Sequence, residues 1–277
     1  MIADGYTLEE LLIARMAQDF VGGRLGVGAT VLSDLAARLA KALYVPDLFL
    51  TTSSRAAADP DIHAKALSDE WVLDGSARVN LDWEQMFRLI AQQKLQIWIG
   101  AVQIDRSGAS NISVAGSWDR PKAQFIGARG IPDDLWGCER LNYHIRTHSP
   151  KAFVEKVDFV CGFGRDPDPA RRGAAPAKPG TVVSDLGVFD FGGPGGTMRI
   201  VSLHPGVSFA TVQDKTGFAL ANPGTDVAVT AAPTAEELRI IREVIDPRGL
   251  RRLDSPEGGI GLMLELWEQE HSTGWAA

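Results

Sequence analysis

Segments with the character of buried strands alternate with amphipathic helical segments in the first part of the chain, and this alternation constrains the fold most. Thr7, followed three residues later by Glu10, is the signature of a capping box, and apolar residues then recur at helical spacing. The predicted elements are a helix over 7–20, a strand over 24–27, a turn at Gly28, a helix over 32–43, a strand over 48–52, a helix over 82–93 and a buried strand, LQIWIGAVQI, over 95–104. This order predicts an α/β fold, with an open, mostly parallel sheet and helices on both faces.

The second half of the chain has a different pattern. The proline-rich segment 165–180 has no large apolar residue and is typical of an exposed loop. After it, TVVSDLGVFDF and MRIVSLHP have the character of two strands joined by the turn GGPGGT. Thr234, with Glu237 three residues on, predicts the start of a helix over 233–245. LMLELWEQEH predicts a short helix near the C-terminus.

Composition excludes several classes of partner. The net charge of -7 and a pI near 5.3, without a stripe rich in Lys and Arg, argue against nucleic-acid binding. The two cysteines, Cys138 and Cys161, have neither metal-ligand spacing nor a disulfide pattern, so we interpret both as core thiols in a reducing compartment. No apolar run reaches the ~18 residues that a membrane span needs, and the N-terminus has no cleavage site. We expect a cytoplasmic protein that binds no membrane.

Three motifs indicate familiar chemistry only weakly. GRLGVGAT contains G-x-G between a strand and a helix, but Val31 occupies the third glycine position of a dinucleotide fingerprint, so a tight turn that packs the helix on the sheet is favoured. His144 and His148 are four residues apart, but they lie in a predicted strand and turn without a third ligand, which favours structural histidines over a metal site. No G-x-S-x-G elbow surrounds Ser53, which argues against a serine hydrolase.

Two loops remain as candidate binding sites. In FIGARGIP, Gly127 and Gly130 flank Arg129 directly after a predicted apolar strand. Backbone N–H groups could therefore approach a ligand oxygen while the guanidinium binds a carboxylate. The alternative is a turn with a surface arginine. The GGPGG turn over 192–196 is either a flexible hairpin or a close backbone approach to a ligand. The predicted strand over 48–52 also ends in hydroxyl side chains, at the edge of a sheet where ligands bind.

A set of motifs in a fixed order resembles one family. YVPDLFL, GAVQIDRSGASNIS, FIGARGIP, VEKVDFVCGFG, VVSDLGVFDFGGPGGTMRIVSLHPGV and VIDPRGL are similar to segments of the β subunits of glutaconate-type class I CoA-transferases. The resemblance extends to about residue 250 and is strongest over 181–207. Within the family it is greatest to ring-opening hydrolases that act on a CoA thioester in steroid catabolism. It implies one class I CoA-transferase-like α/β domain over 1–250 and a C-terminal extension over 251–277.

The resemblance also gives the strand over 48–52 an interpretation. In the transferases, this strand ends in a glutamate that carries CoA as a thioester, and Ser53 stands at that position here. A serine hydroxyl cannot support this exchange without a separate base. In the hydrolase relatives the catalytic glutamate belongs to the α subunit, so no catalytic residue is assigned to this chain. Thr52 and Ser53 are expected to line the substrate pocket, together with Gly127, Arg129 and Gly130.

The expected partner is therefore an α subunit, in a heterodimer or an α2β2 assembly, and the expected substrate is an acyl-CoA. Coenzyme A would be part of the substrate, with no permanently bound cofactor and no metal. The leading interpretation is a subunit of a hydrolase that cleaves a ring carbon–carbon bond. A CoA-transferase subunit and a non-catalytic scaffold subunit are the alternatives. Residues 55–80 match neither group of relatives well, so the ring system of the substrate is the part of this interpretation that the resemblance leaves open.

Overall fold

The structure is a computed structural model, in which two units can be distinguished. One unit contains residues 1–89 and 231–277, and the other contains residues 90–230. The structure describes residues 5–51, 56–58, 61–62, 77–92, 95–128, 130–138, 140–165, 179–221, 226–256 and 258–272.

The first unit draws its helices and strands from both ends of the chain. Its elements are α1 (Leu8–Ala17), β1 (Leu25–Gly28), α2 (Val31–Leu43), β2 (Phe49–Thr51), β3 (Ala56–Ala58), β4 (Val79–Leu81), α3 (Trp83–Ala91, which continues past residue 89), α6 (Ala235–Arg239), a π-helical turn (Ile240–Ile245), a 3-10 turn (Leu250–Asp254) and α7 (Ile260–Ser272). Strands β1 and β2 are parallel, and β3 and β4 add to them antiparallel.

Local capping begins the helices of this unit where the sequence predicts. Thr7 and Glu10 form a complete capping box at α1, and Thr234 and Glu237 form another at α6. Gly28 ends β1 so close to α2 that an added Cβ would lie 2.2 Å from the backbone nitrogen of Asp34. The G-x-G segment therefore packs a helix against a strand, as the interpretation as a tight turn requires.

A buried ion cluster joins the N-terminal helix to the C-terminal segment. The Glu10 carboxylate is 1% exposed and accepts two hydrogen bonds of 2.8 Å from Arg242. Arg251 lies 3.2 Å from the same carboxylate and 2.8 Å from the buried Asp246. Burial alone would raise the pKa of Glu10, but the hydrogen bonds from Arg242 and from the Thr7 N–H, with the charge of Arg251, lower it. Glu10 is thus charged and fully paired.

The second unit contains a six-strand sheet region and two smaller sheets. Its elements are β5 (Leu95–Gly100), β6 (Gln103–Asp105), β7 (Ser110–Asn111), β8 (Val114–Gly116), β9 (Pro121–Gln124), α4 (Ile131–Gly137), β10 (Arg140–Ile145), β11 (Phe153–Val154), β12 (Pro179–Ser184), β13 (Gly187–Asp190), β14 (Arg199–Leu203), α5 (Phe209–Asp214) and β15 (Ala228–Val229). The large region has the order β15-β14-β13-β12-β10-β5, and the smaller sheets are β11-β6-β7 and β8-β9. The pairs among β5, β10 and β12 are parallel, whereas β12, β13 and β14 form an antiparallel meander.

Two predicted strands are wrong in their extent. LQIWIGAVQI is not one strand, because β5 ends at Gly100 and β6 pairs with β7 and β11 in a separate sheet. TVVSDLGVFDF contains both β12 and β13, which turn back on each other between Ser184 and Gly187. In LQIWIGAVQI the apolar character continues through the break, and only the pairing partners reveal it. In TVVSDLGVFDF the break coincides with Ser184 and Asp185, which are polar.

The remaining predictions are confirmed in part. LMLELWEQEH is helical, within the longer α7. Residues 179 and 180 of the predicted loop belong to β12, and residues 166–178 lie outside the described residues. The α/β class with a mostly parallel sheet is confirmed, whereas the division into a domain over 1–250 and an extension over 251–277 stays a prediction. None of the helices in the described part of the chain is long and apolar enough to cross a membrane.

His148 is a buried structural histidine of the second unit. Its ring nitrogens lie 3.0 Å from Ser184 Oγ and 2.9 Å from Thr216 Oγ1, and its ring stacks on Phe153. Burial, with a smaller contribution from the charge of Lys215, lowers the pKa of His148 to about 3. The folded protein therefore keeps this side chain neutral at pH values where an unfolded chain would protonate it.

We expect acid to weaken the folded state through His148. A group whose folded pKa is lowered binds fewer protons than the unfolded chain, so its contribution to stability is lost as the pH falls below the unfolded value of about 6.5. With a folded pKa of about 3, this side chain lowers the free energy of unfolding by roughly 2 kcal/mol at about pH 5, relative to about pH 7. Urea unfolding at about pH 7 and about pH 5 measures this loss. His148→Gln should flatten the pH dependence, and an unchanged slope in that variant would contradict the assignment.

Candidate functional site

The hydroxyl-bearing edge of the first unit begins at Thr51. Thr51 is the last residue of β2 and pairs in parallel with Val27 of β1, so these two strands end at the same edge. Its side chain is 4% exposed, and within the described residues its Oγ1 has no hydrogen-bond partner. Thr52 and Ser53 lie outside the described residues. Their predicted place in the pocket therefore stays a prediction, supported by the position of Thr51.

The candidate loop of the second unit begins at Phe125. The Phe125 N–H donates to the Ser113 carbonyl at 2.8 Å, and the Gly127 N–H donates to the Ile112 carbonyl at 3.2 Å. Gly127 has φ +90°, in the left-handed region that favours glycine. Ile126 is 73% exposed, so the start of the loop lies at the surface of its unit.

The structure corrects one detail of the predicted oxyanion site. Because the Gly127 N–H is already bonded to Ile112, it is not a free donor for a ligand oxygen. A donor for a ligand in this loop must therefore come from a residue other than Phe125 and Gly127. Gly130 immediately precedes α4, and Arg129 lies outside the described residues. The roles of Arg129 and Gly130 remain predictions.

The strand before this loop also differs from the prediction. The sequence suggested an apolar strand, but β9 is Pro-Lys-Ala-Gln, with three of its four residues exposed. It forms a two-stranded hairpin with β8. The apolar residues Phe125 and Ile126 follow this strand and are themselves exposed, at 40% and 73%. Apolar packing therefore contributes little to the position of the start of the loop, whereas Ile131 at its end is buried.

The other motifs have structural roles in the part of the chain that is described. His144 lies on β10 and His148 follows it, as the predicted strand and turn require. No group of three or more His, Cys, Asp or Glu side chains among the described residues could hold a metal ion. The GGPGG turn connects β13 to β14, and a bidentate ion pair between Asp190 and Arg199 closes its base. This favours the hairpin interpretation.

Sequence reasoning missed three polar residues of the second unit. Gln103, Asn111 and Asp158 form a hydrogen-bonded set, although Asp158 is separated from Gln103 by 55 positions. Both cysteines are buried thiols, as predicted, and the Cys161 sulfur accepts a hydrogen bond from the Ile112 N–H at 3.3 Å. The amide side chains of Gln103 and Asn111 in GAVQIDRSGASNIS were the available signal in the sequence, because amides that become buried need hydrogen-bond partners.

Comparison with known proteins defines the class of the fold. The chain superposes on the crystal structure of IpdAB from Rhodococcus jostii with a TM-score of 0.77, at 35% identity, over 93% of this chain and 100% of that one. No protein-family model matches the chain. The fold is that of the class I CoA-transferase superfamily.

Two relatives of known activity identify the family of this chain within the superfamily. The IpdB subunit of the cholesterol ring-cleaving hydrolase of Rhodococcus jostii is 39% identical over 220 residues, which are 78% of this chain and 83% of the relative. A subunit of the 3-oxoadipate CoA-transferase of Pseudomonas knackmussii is 28% identical over 86% of this chain and 92% of the relative. The chain belongs to the family of IpdB-type β subunits within the CoA-transferase superfamily.

Replacing Gly127 tests the conformation of the loop. An added Cβ would meet no atom within 4 Å, so Gly127→Ala should lower stability through backbone strain alone, by about 1–2 kcal/mol. Gly127→Asn should lose less, because asparagine tolerates the left-handed region better. Gly259→Ala, which also meets no atom within 4 Å and has no left-handed φ, is the control. Equal urea midpoints for Gly127→Ala and the wild type would contradict this backbone geometry.

Proposed function

We propose that this chain is the β subunit of a heteromeric hydrolase that opens a ring of a cyclic keto acyl-CoA by carbon–carbon cleavage. The substrate would be of the steroid-derived type. The observation that carries the proposal is the 39% identity to a ring-cleaving hydrolase subunit. The resemblance to the transferases adds that Ser53 stands where they have the CoA-carrying glutamate. Without a carboxylate at this strand tip, the chain cannot carry CoA as a glutamyl thioester there.

The proposed reaction adds water to a ring ketone. A carboxylate of the α subunit acts as general base, takes a proton from water, and the resulting hydroxide attacks the ketone carbon. The carbon–carbon bond then breaks, and its electron pair forms an enolate on the carbon next to the thioester. A proton delivered to that carbon completes a new carboxylic acid and a thioester. Every atom of water is retained in the product.

This chain would bind and orient the substrate. Arg129 is proposed to hold a substrate carboxylate or the ring ketone through charge-assisted hydrogen bonds. Because the Gly127 N–H is occupied, the donors for the enolate oxygen would come from the N–H groups that follow it, near Gly130. Thr52 and Ser53 would line the pocket, and one of these hydroxyls could orient the attacking water.

The proposed assembly contains an α subunit, as a heterodimer or an α2β2 complex. The names of the relatives support this, since both describe subunits of larger enzymes. Coenzyme A is proposed to enter as part of the substrate, and no permanently bound cofactor is proposed. Two buried cysteines that form no disulfide support a cytoplasmic enzyme in a reducing compartment.

CoA transfer is the second candidate, favoured by the similarity to a 3-oxoadipate CoA-transferase subunit. That reaction requires an acceptor acid and a covalent carrier of CoA. The two reactions therefore differ in products, in acceptor dependence and in covalent intermediates. A scaffold role would instead leave turnover unchanged by point substitutions that preserve assembly.

Arg129→Ala should reduce kcat/KM of the purified two-subunit complex by at least about tenfold, because a lost charge-assisted contact costs about 1.5 kcal/mol or more. Arg129→Lys keeps the charge but not the bidentate geometry and should recover only part of the loss. Arg106→Ala removes an exposed arginine of the same unit and serves as control. A change within about twofold for Arg129→Ala would rule out the proposed contact.

Hydrolysis and transfer are separated by product analysis with and without acetate. We expect ring-opened thioester from water alone, no acetate dependence, and no borohydride-trappable CoA adduct on this chain. Acetyl-CoA formed by the wild-type complex, or an adduct mapped to this chain, would favour transfer instead. Ser53→Glu restores a carboxylate at the strand tip, and an adduct in that variant would show that the rest of a transferase site persists.

A further inference from the structure

An amide–amide–carboxylate network lies within the second unit. Gln103 on β6 and Asn111 on β7 are directly paired across their sheet, and both are buried. Asn111 Nδ2 donates to Gln103 Oε1 at 2.7 Å, and Gln103 Nε2 donates to Asp158 Oδ2 at 2.9 Å. The Asp158 N–H donates back to Gln103 Oε1 at 3.0 Å. Each polar atom of the Gln103 amide therefore has a partner, which fixes its orientation.

The network holds both ends of β8. Asn111 Nδ2 donates to the Val114 carbonyl at 2.7 Å, and its Oδ1 accepts from the Ser113 N–H at 2.9 Å. At the other end of the strand, the Gly116 N–H donates to Asp158 Oδ2 at 2.8 Å. The start of β8 is thus hydrogen-bonded to the Asn111 amide, and its end is hydrogen-bonded to the Asp158 carboxylate.

The same stretch of chain anchors the candidate loop. The loop residues Phe125 and Gly127 donate to the carbonyls of Ser113 and Ile112, which come directly after Asn111. Strand β9, which leads into the loop, pairs with β8. The network therefore reaches segment 125–130 by two routes, through the hairpin and through the backbone of residues 111–113.

Hydrogen bonds have to position this hairpin because so much of its surface is exposed. Most of β9 is exposed, and Trp118 at the hairpin tip is 60% exposed while its ring stacks on Phe159. The hydrogen bonds from the Gly116 N–H and from Gln103 lower the pKa of Asp158, so this carboxylate is ionised near neutral pH. Hydrogen bonds to a charged acceptor are stronger than neutral ones.

We propose that Asp158, with Gln103 and Asn111, is a positioning residue that holds segment 125–130, and with it Arg129, in the geometry that binds the acyl-CoA substrate. This inference depends on the proposed function, because it takes Arg129 as a substrate contact. Asp158 touches no reacting atom. It acts through the hairpin and the loop.

The test compares three variants in the purified two-subunit complex. Asp158→Ala removes the acceptor for Gly116 and Gln103, whereas Asp158→Asn can present an amide oxygen to both. Glu155→Ala removes a neighbouring carboxylate that forms an exposed ion pair, 3.1 Å from Arg106. We expect Asp158→Ala to reduce kcat/KM about tenfold, mainly through KM, with Asp158→Asn within about threefold of wild type and Glu155→Ala unchanged. The effect of Asp158→Ala should vanish in an Arg129→Ala background.

Hydrogen exchange gives a readout that does not depend on turnover. The amides of Gly116, Phe125 and Gly127 should exchange faster in Asp158→Ala and regain protection in Asp158→Asn. Unchanged exchange in Asp158→Ala would overturn the positioning role, and so would faster exchange with unaltered kcat/KM. A wild-type complex that opens no ring would instead refute the proposed function, while the exchange data would still decide whether Asp158 holds the loop.

Discussion

The buried carboxylate of Glu10 is the constraint on which the first unit depends. A charge removed from water is tolerated only when its partners satisfy it, and here the partners, Arg242 and Arg251, are more than two hundred positions away in the sequence. The Glu10 side chain also caps α1 through the Thr7 N–H. One carboxylate therefore fixes the start of the first helix and binds it to the C-terminal segment. Removing it would take a shared acceptor from Arg242 and Arg251 and leave the Thr7 N–H at the start of α1 without this side-chain partner.

The second unit uses polar contacts differently. Its large sheet is held by apolar strands such as β5, which is buried along most of its length. The candidate loop, by contrast, lies beyond an exposed hairpin, and amide and carboxylate hydrogen bonds set its position. This division matches a general requirement of binding sites, in which a rigid core supports segments whose geometry is set by directional interactions.

Much of the fold could be predicted from the sequence where short-range interactions decide. The capping boxes at Thr7 and Thr234 were found because both partners lie within one turn of helix. The break within LQIWIGAVQI could not be found, because Gly100 and the residues after it keep the apolar character and only the pairing of β6 separates the strands. At the site, the glycine at Gly127 was recognisable, but the partner of its N–H was not. The hydrogen bonds of Asp158 could not be predicted for the same reason, because contacts between distant positions leave no local pattern in the sequence.

The first unit is built from two segments that are far apart in the sequence, and this affects how the chain folds during synthesis on the ribosome. Residues 1–89 of this unit emerge before residues 90–230, whereas their partners in 231–277 emerge after them. Segment 90–230 lies between these two parts in the sequence, so it can fold before residues 231–277 have been synthesised. Until then the apolar face of α1 and the Glu10 carboxylate lack their C-terminal partners. During translation the nascent polypeptide therefore exposes part of the core of this unit, and such exposed apolar surface favours aggregation until the C-terminal segment packs on it.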